Sequence, residues 1–341
     1  MTQPSRTRRI LASALRIVAM LAASALLVLA WLGLMTCMPG SANPGPPPPL
    51  DQPGQVLREA LRADVTYLAE TIGERSLRVP PQLQASADWL AQQLRAAGWT
   101  VTEIPYTCRG HTVRNLVAER RGTALPGEIV VLGAHYDSVE RSPGADDNAS
   151  GVAALLAVAR ALGHSELPRT VRLVAFVNEE PPWFRGPLMG SRIVASAFAK
   201  AGDTLSDVLV LDAIGFYCSG DCQAYPPPLS LFYPSEGRFV AFVGRIQDWW
   251  RLRHAVGLFR AAVPMPSEGL AAPRVVPGID YSDHMAFWDV GYPGLLITDA
   301  PTYRNPAYHR SSDLPATLDW ERLAWVTRGL IAVVRQLATA T

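Results

Sequence analysis

The sequence predicts an α/β fold, a single globular domain with a largely parallel central sheet flanked by helices, preceded by an N-terminal membrane helix. Three observations carry this reading. Apolar runs such as EIVVLGA, VRLVAFV and LLIT are too continuous to alternate, so they read as strands covered on both faces. Segments with apolar residues at helical spacing precede and separate these runs, the order that produces parallel sheets. Polar clusters follow the apolar runs directly, at strand carboxyl ends, where sheets of this kind bind ligands.

Taken in order, the chain opens with Arg6, Arg8, Arg9 and Arg16, then an uncharged stretch over residues 17–35, IVAMLAASALLVLAWLGLM. A helix needs ~17–25 such residues to cross a bilayer. Arginines ahead of the span place the N-terminus inside and the rest of the chain outside. Residues 1–37 are therefore a signal anchor, or a signal peptide with Gly40 and Ala42 as a small-x-small cleavage site. In the first case the domain is membrane-anchored and extracytoplasmic; in the second it is secreted or periplasmic. Residues 38–53, MPGSANPGPPPPLDQP, lack core periodicity and read as a stiff proline-rich linker. The folded domain spans residues 54–341, with no internal repeat and no second linker.

Within it, Val56, Leu57, Leu61, Val65, Leu68 and Ile72 follow helical spacing, and a second amphipathic helix runs over residues 85–97 and stops at Gly98. Short β-rich pieces cover residues 100–106 and 113–119, followed by the EIVVLGAHYD strand. Residues 151–162 form a helix of small and branched residues ending at Gly163, and strands follow at VRLVAFVNEE, residues 208–211 and residues 294–298.

Composition excludes several classes. A net charge of +1 leaves no broad basic surface, which argues against a nucleic-acid partner. Four cysteines are too few for a disulfide scaffold, and 341 residues can bury a core without one.

Five polar groups carry the chemistry. His135 and Asp137 follow VVLGA; Asp146, Asp147 and Asn148 lie in SPGADDNASG; Asn178, Glu179 and Glu180 follow LVAFV; Asp212 follows VLVL; and His309 lies in NPAYHRSSD. Each alone has a plain alternative, as a surface acid pair, a helix cap or a loop histidine. Together, at the strand ends of one sheet, they place carboxylates where an unpaired charge is costly. Apart from Arg310, no lysine or arginine lies inside these motifs, so a cation from solution would meet the need. Two histidines and three carboxylates suit zinc, and five ligands exceed what one catalytic ion uses. They suit two ions ~3.5–4 Å apart, sharing one carboxylate. One of the adjacent glutamates would then be free as general base, and the aspartate beside the first histidine could orient its ring.

The motifs GAHYDS, PGADDNASG, NEE, LD and YHRSSD, in that order, resemble those of the co-catalytic zinc aminopeptidases, family twenty-eight of the metallopeptidases. That family includes bacterial leucyl aminopeptidases, glutamate carboxypeptidase, glutaminyl cyclases and the transferrin receptor. The resemblance implies a zinc peptidase domain over residues 54–341, two zinc ions and a peptide substrate. By position it makes His135 and Asp212 ligands of one zinc, Glu180 and His309 ligands of the other, and Asp147 the bridge, often followed in the family by a cis peptide. It makes Glu179 the general base and Asp137 the partner of His135. His284, in YSDHMAFW, competes with His309, and the resemblance makes it a buried support or a substrate neighbour instead. His111, His164 and His254 receive no role. Where many members continue from the glutamate pair with a glycine-rich turn, this chain has PPWFRGPLMGS, whose Trp183 and Phe184 either line a substrate pocket or pack under a loop. Cys218 and Cys222 are close enough in sequence for a small-loop disulfide in an exported protein. The implied activity is hydrolysis of N-terminal peptide bonds; a glutaminyl cyclase-like acyl transfer and an inactive peptidase-like binding domain are the alternatives. Oligomeric state is not legible.

Overall fold

A computed structural model describes residues 6–43 and 45–339. The ends of the expected anchor and domain, residues 1–5 and 340–341, and Pro44 of the expected linker lie outside the described residues. The chain divides into two units, residues 1–37 and 38–341.

The first unit is one helix, α1 (Arg6–Thr36). Its stretch Ile10–Thr36 is long and apolar enough to cross a membrane. At ~1.5 Å per residue it exceeds the ~30 Å hydrocarbon core.

The second unit begins with the proline-rich stretch. Parts of the spacer expected over residues 38–53 instead lie against the domain, with Met38 and Leu50 buried. A proline-rich segment has carbonyls that no helix or ladder satisfies, and here side chains supply the donors. Arg260 donates to the carbonyls of Pro39 (3.1 Å) and Gly40 (3.3 Å), and Trp325 Nε1 donates to that of Pro48 (3.0 Å).

Asp51 caps α2 (Gln52–Thr66), its Oδ1 accepting from Gly54 N at 2.9 Å. α3 (Pro80–Ala96) ends at Gly98, whose φ of +87° lets Trp99 N reach back to Leu94 O. β1 (Thr100–Cys108) and β2 (His111–Arg120) form a hairpin whose turn residues, Arg109 and Gly110, both have positive φ. The chain then runs through β3 (Leu125–His135), α4 (Gly151–Leu162), β4 (Arg169–Phe176), α5 (Gly190–Ala201) and β5 (Thr204–Leu211). It continues with β6 (Val240–Arg245), α6 (Trp249–Ala262), β7 (Ser267–Ala272), α7 (His284–Asp289), β8 (Leu295–Thr298), α8 (Pro301–Arg304) and α9 (Trp320–Thr339).

The eight strands form one sheet in the order β1-β2-β4-β3-β5-β8-β6-β7. Its centre, β4-β3-β5-β8, is parallel, so these four strands end at one edge of the sheet. Outside it β1 with β2, β2 with β4, and β6 with β8 pair antiparallel, while the edge strand β7 runs parallel to β6. The central strands are buried on both sides, as their continuous apolar runs require. On one face Val131, Val174 and Val210 meet Val194 and Phe198 of α5 and Phe287 of α7; α4 and α9 pack against β3 on the same sheet. Gly133 in β3 makes room for the Phe176 ring, since a Cβ there would lie 2.3 Å from it. This packing fixes β3 and β4 side by side just before both deliver their polar residues.

Candidate metal centre

Every sequence-predicted site residue lies at or beside the shared strand edge. β3 ends on His135, and the chain continues to Asp137. After β4, Asn178 adopts a φ of +59° and turns Glu179 and Glu180 across the edge. Asp212 follows β5, and Asp147 lies in a six-residue turn, Ala145–Ser150, ahead of α4. The peptide from Asp147 to Asn148 is cis. His309 comes from the loop after α8, also at positive φ.

These side chains fall into two clusters, His135 with Asp147 and Asp212, and His309 with Asp147 and Glu180. Asp147 belongs to both, one oxygen in each. His135 Nε2 lies 3.3 Å from Asp147 Oδ1 and 3.6 Å from Asp212 Oδ1. His309 Nε2 lies 3.2 Å from Asp147 Oδ2 and 3.1 Å from Glu180 Oε2. His135 Nδ1 is 3.2 Å from the main-chain oxygen of Asp137, and a carbonyl only accepts, so Nδ1 carries the proton. In the neutral ring, the form a metal ligand takes, Nε2 is then a lone pair aimed at carboxylate oxygens. Both Nε2 atoms are buried and lack a hydrogen-bond partner. Lone pairs and carboxylates repel unless a cation stands between them, and two imidazoles with three carboxylates are a donor set that zinc accepts.

The electrostatics express the same demand. Burial works against ionisation of Asp147, but the flanking His135 and His309 outweigh it and hold the carboxyl below its usual range. Burial, reinforced by Asp147, pushes Glu180 up to about 8. Burial drives Glu179 well above the ordinary value, partly offset by His135. Burial would depress His309, yet Asp147 and Glu180 raise it to about 10. The centre is a pit of buried negative charge that draws protons where it lacks other cations.

Two further carboxylates hold the loops that carry the clusters. Asp137 accepts from the main-chain N–H of Glu179 and Glu180, each at 3.2 Å. Its carboxylate is 3.6 Å from His135 Nδ1, so its direct hydrogen bonds go to the glutamate loop. Asp313 does the same for the aspartate loop, accepting from Asp146 N at 2.9 Å and Asp147 N at 3.1 Å. Sequence reading gave Asp313 no role, although it closes the YHRSSD motif. It also passed over Arg75, which is fully buried and donates to the carbonyls of Tyr136 (2.8 Å) and Gly144 (2.9 Å), joining the β3 exit to the aspartate loop. Burial lowers Arg75 to about 10, against the pull of Asp137, Asp313, Asp147 and Glu180, and it remains a cation behind the centre.

His284 stands outside both clusters. Its Nε2 donates to Ile279 O at 2.7 Å, its ring packs edge-on against Trp288, and burial lowers it to about 4, so it is neutral. Its neighbour Asp283 is fully buried with neither carboxyl oxygen hydrogen-bonded, and its field acts on Glu179. His111, His164 and His254 belong to neither cluster. Trp183 lines a cleft with Asp137, Asn178 and Glu180, under a stacked Arg109; Phe184 carries the guanidinium of Arg185. Cys218 and Cys222 are bridged.

Comparison with known proteins gives this centre a family. Residues 115–334, a span that contains both clusters, match the model of peptidase family M28. A protein of Escherichia coli strain K12, named Uncharacterized protein YfbL, is 37% identical over 287 residues, 81% of this chain and 87% of its own length. Leucine aminopeptidase 1 of Trichophyton equinum is 28% identical over 268 residues, 74% of this chain and 67% of that one. Among solved structures, BSAP, a zinc aminopeptidase from Bacillus subtilis, shares the fold with a TM-score of 0.65 at 15% identity, over 83% of this chain and 95% of its own. A family match over most of the chain, and a relative of more than one-third identity along nearly its whole length, establish that the chain belongs to peptidase family M28.

Proposed function

We propose that this chain is an aminopeptidase that removes N-terminal residues from peptides with two zinc ions. His135, Asp147 and Asp212 would hold one ion and Asp147, Glu180 and His309 the other. The observation that carries this reading is the division of Asp147, whose two oxygens face two separate imidazole–carboxylate pairs. Charge supports the number. Asp147, Glu180, Asp212 and Glu179 bring four negative charges, matched by two divalent cations, while Arg75 stands behind Asp137. Zinc, when bound, lowers the pKa of a coordinated water toward ~7 and polarises a carbonyl.

The rest of the work falls to the chain. Glu179 lies three residues past the end of β4, and its carboxylate accepts no hydrogen bond from the described residues. It is therefore free to take a proton from the attacking water and pass it to the leaving amine nitrogen. Asp137 grips the amides on both sides of that residue and so sets the direction of its side chain. Asp212, with 13% of its side chain exposed, is the most open of the clustered carboxylates and would receive the substrate's free amine.

The apolar helix would anchor the domain on the extracytoplasmic side, with Arg6, Arg8, Arg9 and Arg16 retained in the cytoplasm. The Cys218–Cys222 bridge suits an oxidising compartment.

The test is the free amine. Zinc-loaded protein should hydrolyse the best substrate of a panel of leucyl, methionyl, lysyl and arginyl amides, and N-acetylation of that substrate should lower kcat/KM by at least ~10²-fold, because a buried polar group is then left unpaired. Equal rates with and without the acetyl group would contradict the aminopeptidase reading, and no hydrolysis of any of the panel would contradict peptidase activity.

A further inference from the structure

Asp212 and Tyr308 stand in one wall of a half-open cavity that leads away from the metal centre. The opposite side is the sheet face formed by Ala241 of β6, Leu270 of β7 and Leu296 of β8, and the remainder is largely aromatic. No lysine, arginine or histidine lines this cavity among the described residues, yet a second acid does, Glu268 of β7. A carboxylate on an apolar sheet face is costly unless it is paired.

Glu268 has one loose ion pair and no hydrogen-bond donor among the described residues. The register sets it beside Ala241, so it rises on the cavity side of the sheet. It accepts no hydrogen bond from the described residues. The nearest cation, Arg260, approaches to 3.9 Å, beyond hydrogen-bond range. That guanidinium donates instead to Ser267 and to the carbonyls of Met38, Pro39 and Gly40. Tyr225 and Tyr233, stacked at 5.7 Å, line the same end of the cavity and feel the Glu268 charge. The result is a pocket with apolar and aromatic walls, the metal centre at one end and an acid awaiting a donor within.

We propose that this cavity takes the side chain of the substrate's first residue and that Glu268 selects a long basic one, lysine or arginine. The inference rests on the aminopeptidase reading and specifies its substrate class. The methylene stem of such a side chain lies along the apolar walls, its cation meets the tyrosine faces, and its N–H groups pair with Glu268. A leucine in the same place leaves the carboxylate desolvated without a donor, the arrangement that rejects a substrate most strongly.

The experiment measures kcat/KM of the zinc-loaded, detergent-solubilised full chain on lysyl, arginyl, leucyl and methionyl p-nitroanilides, methionine being an uncharged side chain of comparable length. The unaltered protein should favour lysyl and arginyl over both neutral substrates. Glu268→Gln keeps the shape and removes the charge, and should lower the lysyl-to-methionyl ratio about 10–100-fold, the range for losing a charged hydrogen bond. Glu268→Leu should invert the preference. A protein that cleaves leucyl or methionyl substrates better than lysyl, or whose ratio is the same in Glu268→Gln, overturns the role of Glu268 and leaves the aminopeptidase reading standing. Failure to cleave any of the four overturns both.

Discussion

Glu179→Gln is expected to keep its metal and lose its turnover. The variant has the same volume, and the loop it stands on is held through main-chain N–H groups by Asp137, which the substitution does not touch. Metal content should therefore equal that of the unaltered protein. An amide cannot take a proton from water at neutral pH, and a positioned general base contributes ~10²–10⁴-fold in rate. Since the same group also delivers that proton to the leaving amine, kcat should fall by at least this range. Glu180→Gln, one residue on, should lose metal together with activity. The pair separates chemistry from binding with equal disturbance to the loop. Near-normal hydrolysis by Glu179→Gln with its metal in place would contradict the base assignment. The role would then pass to Asp137, whose two oxygens are already engaged by the glutamate loop.

His309→Ala should lose one of the two ions, while His284→Ala should keep both. Removing His309 leaves Asp147 Oδ2 and Glu180 Oε2 facing each other without the imidazole between them. Deleting a mere partner of a metal ligand costs ~10–100-fold in affinity, and deleting the ligand itself should cost more. His284 holds the Ile279 carbonyl and packs on Trp288, so its loss should lower the melting temperature without changing metal content. Metal analysis after equilibration in a competing chelator reads both variants. Loss of an ion from His284→Ala and not from His309→Ala would reverse the assignment.

Much of the fold was legible because the central strands are buried on both faces. EIVVLGA, VRLVAFV, VLVL and LLIT have no polar side to confuse with a helix, and each occupies β3, β4, β5 or β8. The flanking elements were harder. β6 and β7 alternate buried and half-buried residues, and SEGLAA has no β-branched or aromatic residue, so β7 does not stand out from loop sequence. α6 opens with Trp249 and Trp250 and carries three arginines, which blurs its apolar face, and α5 starts from the loop after the glutamate pair without a side-chain cap. The proline-rich stretch could not announce its docking, because what fixes it are donors from Arg260 and Trp325, over 200 residues away.

Part of the cluster could be picked out because His135, Glu180 and Asp212 lie at or just past strand ends, and a parallel sheet brings its strand ends together, whereas Asp147 and His309 come from loops and were picked out by their motifs. What escaped were residues that act on main-chain groups. Asp313 works by holding two N–H groups of a distant loop, and Arg75 by filling carbonyls at the β3 exit and the aspartate loop. Neither leaves a periodicity or a spacing in the sequence around it. Glu268 is similar, since its meaning depends on a cavity whose walls come from β6, β8 and the segment between β5 and β6.

The central claim is that one carboxylate, Asp147, divides this site between two ions, and the most direct measurement is the number of metals bound. Purified protein saturated with zinc and freed of excess should hold two ions per chain by elemental analysis, with Asp147→Asn weakening both together. A stoichiometry that stays at or below one after saturation would contradict it.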